Sequence, residues 1–387
     1  MYFVGIDISK YKHDCFITTE TGVTIKRDFT FDNNKNGFDC FITLLNSLDK
    51  SQEIRIGFEA TGQYQLNLML YLEKHNFSFM EFNPALVKKF ISTTTLRKTK
   101  TDKADAIAIA RYLMSVDYKP HPKQFYHKYV LKSLTRRRIT YIHHRSKYKV
   151  DLTHILDAIF PEFKPFFNNK FSVTAMYILN KYHTVKEIAE MTDYDDLRKI
   201  SRGHFYYSKF ISLKELANNT VGEDSEIYTF QLISVLKFIE LYDNEILSIE
   251  NKIDEIMNEL KPKCASIKGL GNIITSSIIA EYGDISRFKS ADAMLAYAGL
   301  EPSTIQSGQT EHTGRMVKRG SSFLRASLMC AAEYVFMHEP VFTDFYYKKR
   351  GEGKGHRTAL SHVAKKLVRV IYKIETSNVD FDRTKLR

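Results

Sequence analysis

Apolar and polar positions alternate with two different periods in the N-terminal part of the chain. "YFVGIDIS", "HDCFITT" and "TIKRDFTF" are short runs rich in β-branched and aromatic residues, with "TETG" between the second and third. Such runs predict three strands, the last two joined by a tight turn. "NKNGFDCFITLLNSL" changes to helical spacing. "EIRIGFEA" then predicts a fourth strand, "GQYQLNLMLYLEKHN" a helix, "FSFMEFN" a fifth strand and "PALVKKFIS" a helix with Pro84 at its start. One more helix opens at Asp102. The order βββαβαβα is that of an α/β layer. "DYKPHPKQF" closes it, so a first domain is expected over residues 1–118.

Downstream the pattern is helical. Tyr129 to about Ile159 is a basic stretch containing "TRRRITYIHHRSKYK", and residues 160–224 show no clean period. From 232 to 260 the period is sharp. Leu232, Ile239, Ile246, Ile253 and Leu260 recur every seven residues, with Val235, Tyr242, Ile249 and Ile256 in the other seam position. This heptad predicts a coiled coil, between subunits or folded back onto the basic helix; an ordinary bundle helix is the simpler alternative. Residues 119–262 are expected to be a basic helical linker and coiled coil. A third unit, 263–387, starts near Cys264. "SIKGLGNIITSSIIAEYGDI" reads as two helices joined around "KGLGN". Then come "ADAMLAYAGL", the polar loop "EPSTIQSGQTEHTGRMVKRG", a helix from "SSFLRASLMCAAEYVF" and a final basic helix, "HRTALSHVAKKLVRVIYKI". The fold class expected is α/β followed by mainly α.

Length and charge narrow the function. A chain of 387 residues has room for two or three domains. Its 57 Lys and Arg against 45 Asp and Glu leave a net charge of +12, which favours a polyanion, most simply nucleic acid, over a membrane surface. No stretch is apolar enough to span a bilayer, and the N-terminus enters a strand pattern without a signal-peptide layout, so a cytoplasmic protein is expected. Four scattered cysteines form no CxxC pair, which argues against a zinc site or a disulfide framework. No GxxxxGK[ST] phosphate loop is present.

Four carboxylates are the leading candidates for chemistry. Asp7 lies inside the first strand among apolar neighbours, where an acid costs free energy unless paired or metal-bound. Glu59 ends the fourth strand in a similar setting, and parallel pairing of these strands would bring the two together. Asp102 and Asp105 stand three apart on one helical face. Four clustered acids suit Mg²⁺ or Mn²⁺, and two such ions can flank a phosphodiester. Lys98, Lys100 and Lys103 would then hold the nucleic-acid backbone. A plainer account competes for Asp102, as a helix-start acid favoured by the dipole with Thr101 as cap, and for Asp105, as a surface acid paired with a lysine.

Other stretches carry weaker signals. Ser307 precedes Gly308 in the polar loop, followed by Arg315, Lys318, Arg319 and Arg325, which could hold a phosphate that a serine attacks. Ser303, Ser321 and Ser322 are its rivals. "KGLGN" could present Lys268, Gly269 and Gly271 to phosphate, or be a plain helical hairpin with a glycine cap. Arg136, Arg137, Arg138 and Arg145, with Tyr141 and Tyr148 interleaved, could meet RNA or could be a solvated face.

The βββαβαβα order with Asp7 on the first strand resembles the RNase H-like fold of the Holliday-junction resolvase RuvC. "GIDISK", "FEATGQY" and "TDKADAIAIA" together resemble the DEDD transposases of insertion-sequence family one-ten, which includes the pilin-gene invertases; the similarity covers nearly the whole chain. The resemblance implies that Asp7, Glu59, Asp102 and Asp105 bind metal, that "IKGLGNIITSSIIAEYG" is a helix-hairpin-helix, and that Ser307 links covalently to a DNA end. It implies target and donor DNA, a structured bridge RNA as guide, a homo-oligomer, and a site shared between subunits. The expected function is RNA-guided DNA recombination with Mg²⁺ or Mn²⁺. A junction nuclease without a covalent intermediate is the alternative, and an actin-like ATPase or a non-enzymatic scaffold are further rivals.

Overall fold

The computed structural model describes residues 1–60, 64–94, 101–120, 125–223, 225–307, 310–318 and 320–385, and these divide into two compact units. The first comprises Met1–Tyr129 and Tyr282–Ala293; the second comprises Val130–Glu281 and Met294–Arg387.

In the first unit, β1 (Tyr2–Ile8), β2 (Lys12–Thr19) and β3 (Thr24–Asp32) form an antiparallel meander. Then follow α1 (Lys35–Asn46), β4 (Ile54–Glu59), α2 (Gln65–Lys74), β5 (Phe79–Phe82), α3 (Pro84–Thr94) and α4 (Asp102–Ser115). The five strands make one sheet in the order β3-β2-β1-β4-β5, with β1–β4 and β4–β5 parallel. The expected pairing of first and fourth strands is therefore present.

Strand alternation gives the sheet two working faces. Val4, Ile6 and Ile8 share a core with Ile17 and Phe31, closed by Phe38, Phe41 and Leu45 of α1 and Leu68 and Leu72 of α2. The opposite face carries Phe3, packed with Ile109 and Leu113 of α4, and Phe16, packed with Ala106 and Ala110. Between them Gly5 pairs with Gly57. A Cβ on Gly5 would overlap the Ala106 carbonyl oxygen and the Ala110 amide nitrogen. The missing side chain lets α4 lie directly on the sheet, one turn after its two aspartates.

The second unit is mainly helical. The long α5 (Phe125–Ile159) enters it at Val130, and α11 (Glu226–Leu260) packs along it. Leu232, Leu236 and Ile239 share a core with Leu152, Ile155 and Leu156, while Ile249, Ile253 and Met257 meet Leu131. Of the two expected partners for the heptad face, α11 takes the basic helix of its own chain. Tyr141 meets Tyr242 edge-on, and Tyr148 stacks on Phe238 at 4.7 Å. Both tyrosines pack against α11.

Residues 160–224, which showed no period, hold α6 (Phe163–Phe166), α7 (Val173–Lys181), α8 (Val185–Glu190), α9 (Tyr194–Ile200) and α10 (Tyr207–Asn218) around Phe160, Ile178, Leu197 and Leu213. Each helix is too short to show a long repeat. Where two helices were expected around "KGLGN", only a 3₁₀ turn, Lys263–Ser266, precedes α12 (Asn272–Tyr282). Lys261 ends α11 in the left-handed region and Pro262 follows, which leaves room for one turn. The helix-hairpin-helix is thus not formed as expected.

After α13 (Ala291–Ala298), the polar loop is an antiparallel hairpin of β6 (Pro302–Ser307) and β7 (Thr310–Met316), with Ser307 paired to Thr310 at its tip. The helices α14 (Ser322–His338), α15 (Pro340–Gly351) and α16 (His356–Ser377) pack on one another. Among the described residues, no helix is long and apolar enough to cross a membrane.

Candidate catalytic site

Asp7 and Asp14 face each other across the antiparallel β1–β2 pair, so their side chains leave the sheet on one face. Glu59 follows Phe58, which pairs with Ile6, and so stands level with Asp7 on the parallel neighbour. Their face is the one that Gly5 opens to α4. Thr101 caps that helix by accepting a hydrogen bond from the Ala104 amide at 3.2 Å. The capping account of Asp102 is therefore correct for Thr101, and it also serves to fix where Asp102 and Asp105 begin the helix.

The electrostatics show what this placement does. The Asp7 carboxyl is pushed up to about 6, first by burial and then by Asp105, Asp102, Glu59 and Asp14. Asp7 is thus within electrostatic reach of the other three expected acids and of Asp14. Lys12 lies between the sheet and the helix, 3.6 Å from Asp14 and 3.7 Å from Asp102. Asp14 is buried and also accepts the Thr30 hydroxyl at 2.6 Å. Its neighbour His13, buried against Phe31 and Phe38, is pushed down to about 4 mainly by burial.

An all-carboxylate donor set fits a hard divalent cation, and the Asp7 carboxyl is raised by its neighbouring acids in addition to its burial. Among the described residues, no three His, Cys, Asp or Glu groups stand close enough to hold one ion as they are. Asp7 is therefore within electrostatic reach of the other acids, which stop short of a coordination shell. Their donor chemistry suits a divalent ion, and Asp7, Glu59, Asp102 and Asp105 are the residues that could hold it.

Several expected nucleic-acid contacts have other employment. Arg136 donates two hydrogen bonds to the buried Glu281, at 2.6 and 3.0 Å, and Ser321 donates a third at 2.8 Å. Burial pushes Glu281 up, but the Arg136 hydrogen bonds and charge, with Lys132 and the Ser321 hydroxyl, together outweigh it and hold the carboxyl below its usual range. Arg138 pairs with Glu250 at 2.6 Å and Arg145 with Asp243. These three arginines hold α5 to its own unit. Gly269 is likewise committed: with φ +94°, its α-carbon faces α14, where a Cβ would fall 2.7 Å from the Tyr334 carbonyl oxygen. Its lack of a side chain serves that packing.

The remaining candidates are less constrained. Arg137 lies over the Tyr141 ring, Lys103 pairs with the exposed Asp28 at 3.0 Å, and a Cβ at Gly271 would meet open space. Lys268 is exposed, Lys318 has φ +53°, and Arg325 donates to the Ala298 and Gly320 carbonyls. Lys98, Lys100 and Arg319 lie outside the described residues, as do the side chains of Ser307 and Arg315.

Two residues of the acid cluster were missed in the sequence. Asp14 breaks an apolar strand just as Asp7 does, and that signal was available in "HDCFITT". Lys12 offered no such signal, since its role depends on the cross-strand register.

Known families share both halves of this chain. A DEDD-type transposase domain of the IS110 group matches residues 4–161, and the family described as "Transposase IS116/IS110/IS902 family" matches residues 263–347. The chain is 26% identical over 385 residues to the pilin gene-inverting protein of Moraxella lacunata, covering 98% of each chain. It is 23% identical to an uncharacterized protein of insertion element IS116 from Streptomyces clavuligerus, over 96% of this chain and 93% of that one. It is 20% identical to the mini-circle putative transposase for IS117 of Streptomyces coelicolor, over 98% and 95%. With the acid-bearing sheet and the C-terminal transposase domain on one chain, this protein belongs to the IS110 family of transposases, enzymes that recombine DNA.

Proposed function

We propose that this protein is an RNA-guided DNA recombinase of a mobile element that cuts and rejoins strands through Ser307, with Mg²⁺ at Asp7, Glu59, Asp102 and Asp105. The observation that carries the reading is the Asp7 carboxyl, raised by burial first and then by Asp105, Asp102, Glu59 and Asp14. Such a cluster, when loaded, neutralises charge on a phosphodiester and orients it. Asp7, Glu59, Asp102 and Asp105 would hold the ion that positions the phosphate for attack. The Ser307 Oγ–P bond forms as the bond from phosphorus to a deoxyribose oxygen breaks, and the hydroxyl proton passes by way of a base to the leaving oxygen. Rejoining reverses these steps, so bond energy is conserved and no nucleotide triphosphate is needed.

The place of Ser307 at the end of β6, paired to Thr310, supports its role by presenting it at a hairpin tip. The guide RNA and the homo-oligomer rest on the family resemblance, and the net charge of +12 is consistent with a polyanionic partner. The division into residues 1–118, 119–262 and 263–387 is retained as the functional one: acids, basic helical arm, and serine domain.

The test is a strand-cleavage reaction with DNA carrying the element's ends, resolved on a denaturing gel. A protein–DNA adduct that requires a divalent ion and is lost in Ser307→Ala and in Asp7→Ala is expected. Cleaved strands without an adduct, unchanged in Ser307→Ala, would establish hydrolysis in its place. Recombination that survives complete removal of co-purifying RNA would refute guidance.

A further inference from the structure

The second unit contains a shallow cavity of about 370 Å³ beside the root of the β6–β7 hairpin. Leu300, Met316, Ala326 and Met329 give it an apolar lining. Arg325 from α14 and Arg357, Thr358 and Ser361 from α16 supply the polar part. That size is at the small end of the roughly 300–1,000 Å³ of ligand pockets, enough for one nucleotide and too little for a duplex. Methionine side chains adapt to flat ring faces, and guanidinium groups bind phosphate or stack on bases.

The helix α16 that lines the cavity also carries several basic groups. His362 is pushed down by burial and then by Lys365, Lys349 and Lys354, with Glu352 working against the shift. Lys365 is pushed down by burial and by Arg369, with Glu301 working against the shift. Lys366 is pushed down by burial and by Lys348, against Asp344. Cations that repel one another beside an apolar recess suit a ligand with a charged backbone and a flat, uncharged body.

We propose that this cavity binds one unpaired nucleotide of the DNA substrate, with the base on the Met316–Met329 floor and the adjoining phosphate against Arg357 and Arg325. The cavity would hold the strand next to the hairpin that bears Ser307. The substrate class rests on the transposase family, and the binding does not require Ser307 to be the nucleophile. None of these residues belongs to the acid cluster.

The test uses the full chain and single-stranded oligodeoxynucleotides in which 2-aminopurine is moved one position at a time. Wild-type protein is expected to change 2-aminopurine fluorescence at one position near the cleavage point. Ala326→Phe, which fills the recess from an exposed site, is expected to abolish that change while affinity falls less than about tenfold. Arg357→Ala is expected to weaken binding about tenfold or more. Lys373→Ala, at an exposed position farther along α16, sets the effect of a generic charge loss.

An unchanged position-specific signal in Ala326→Phe, or equal weakening by Arg357→Ala and Lys373→Ala, would overturn the proposal. Ser307→Ala separates the two readings. Loss of the adduct with the fluorescence signal kept supports both. Cleavage unaffected by Ser307→Ala, with the signal still abolished by Ala326→Phe, removes the serine mechanism and leaves the nucleotide site standing.

Discussion

Gly5 and Ala106 meet backbone to backbone, with no room for a side chain between the central strand and the helix that carries Asp102 and Asp105. The contact sets the distance from the sheet acids to the helix acids. Gly5→Ala is therefore expected to lift α4 from the sheet. Overpacking of this kind costs about 1–3 kcal/mol. Urea denaturation should show that loss, and DNA cleavage should fall further than stability alone explains, because the acids separate.

Asp7 makes the fold pay for its chemistry. Its carboxyl is raised from 3.8 to about 6, so its contribution to stability is greatest below about pH 4 and is lost as pH rises through about 6. Asp7→Asn removes the charge that burial and the neighbouring acids oppose. With metal chelated, the variant is expected to be more stable than wild type at pH 7.5 by about 1–2 kcal/mol, after allowance for the solvent that still reaches the group. The gain should vanish below pH 4. Thermal melts across that range decide it, and equal melting temperatures at pH 7.5 would contradict the acid cluster.

Divalent ions should relieve the same repulsion by neutralising the acids. Mg²⁺ or Mn²⁺ is expected to raise the wild-type melting temperature at pH 7.5, by an amount equivalent to about 2.7 kcal/mol at a hundredfold excess over the dissociation constant. Asp7→Asn, Glu59→Gln and Asp105→Asn should each reduce the rise. Isothermal titration of chelated protein with Mn²⁺ checks the same point directly.

Asp14 and Lys12 extend the cluster beyond the four family acids. Asp14→Asn removes one of the charges that raise the Asp7 carboxyl and is expected to bring its titration closer to the usual range. It should also lower affinity for the divalent ion by less than Asp7→Asn does. NMR titration of the Asp carboxyl carbons reads the first effect. No movement of the Asp7 titration in Asp14→Asn would show that the two acids do not interact.

In the second unit Glu281 accepts Arg136 and Ser321 together. Glu281→Ala strands the arginine and the hydroxyl, and should cost about 3 kcal/mol, near the low end for a buried pair because Arg136 keeps some solvent. An Arg136→Met, Glu281→Leu double variant should recover much of that loss. A double-mutant cycle by urea denaturation measures the coupling.

Local pattern alone determined the strand and helix order of the acid-bearing unit, because two-residue and 3.6-residue periods are written in consecutive positions. It also marked Asp7, since a carboxylate inside an apolar strand is anomalous wherever the strand sits. The tertiary structure decided which residues join it. Cross-strand register puts Asp14 opposite Asp7 and Lys12 within reach of Asp102, and no spacing along the chain encodes that choice. The arginines of α5 show the same limit in reverse. Their positive charge is legible in the sequence, but whether it meets a phosphate or Glu281, Glu250 and Asp243 depends on which helix packs alongside. The heptad of α11 specified an apolar face, and only folding selected a partner from the same chain, because burial rewards any complementary surface.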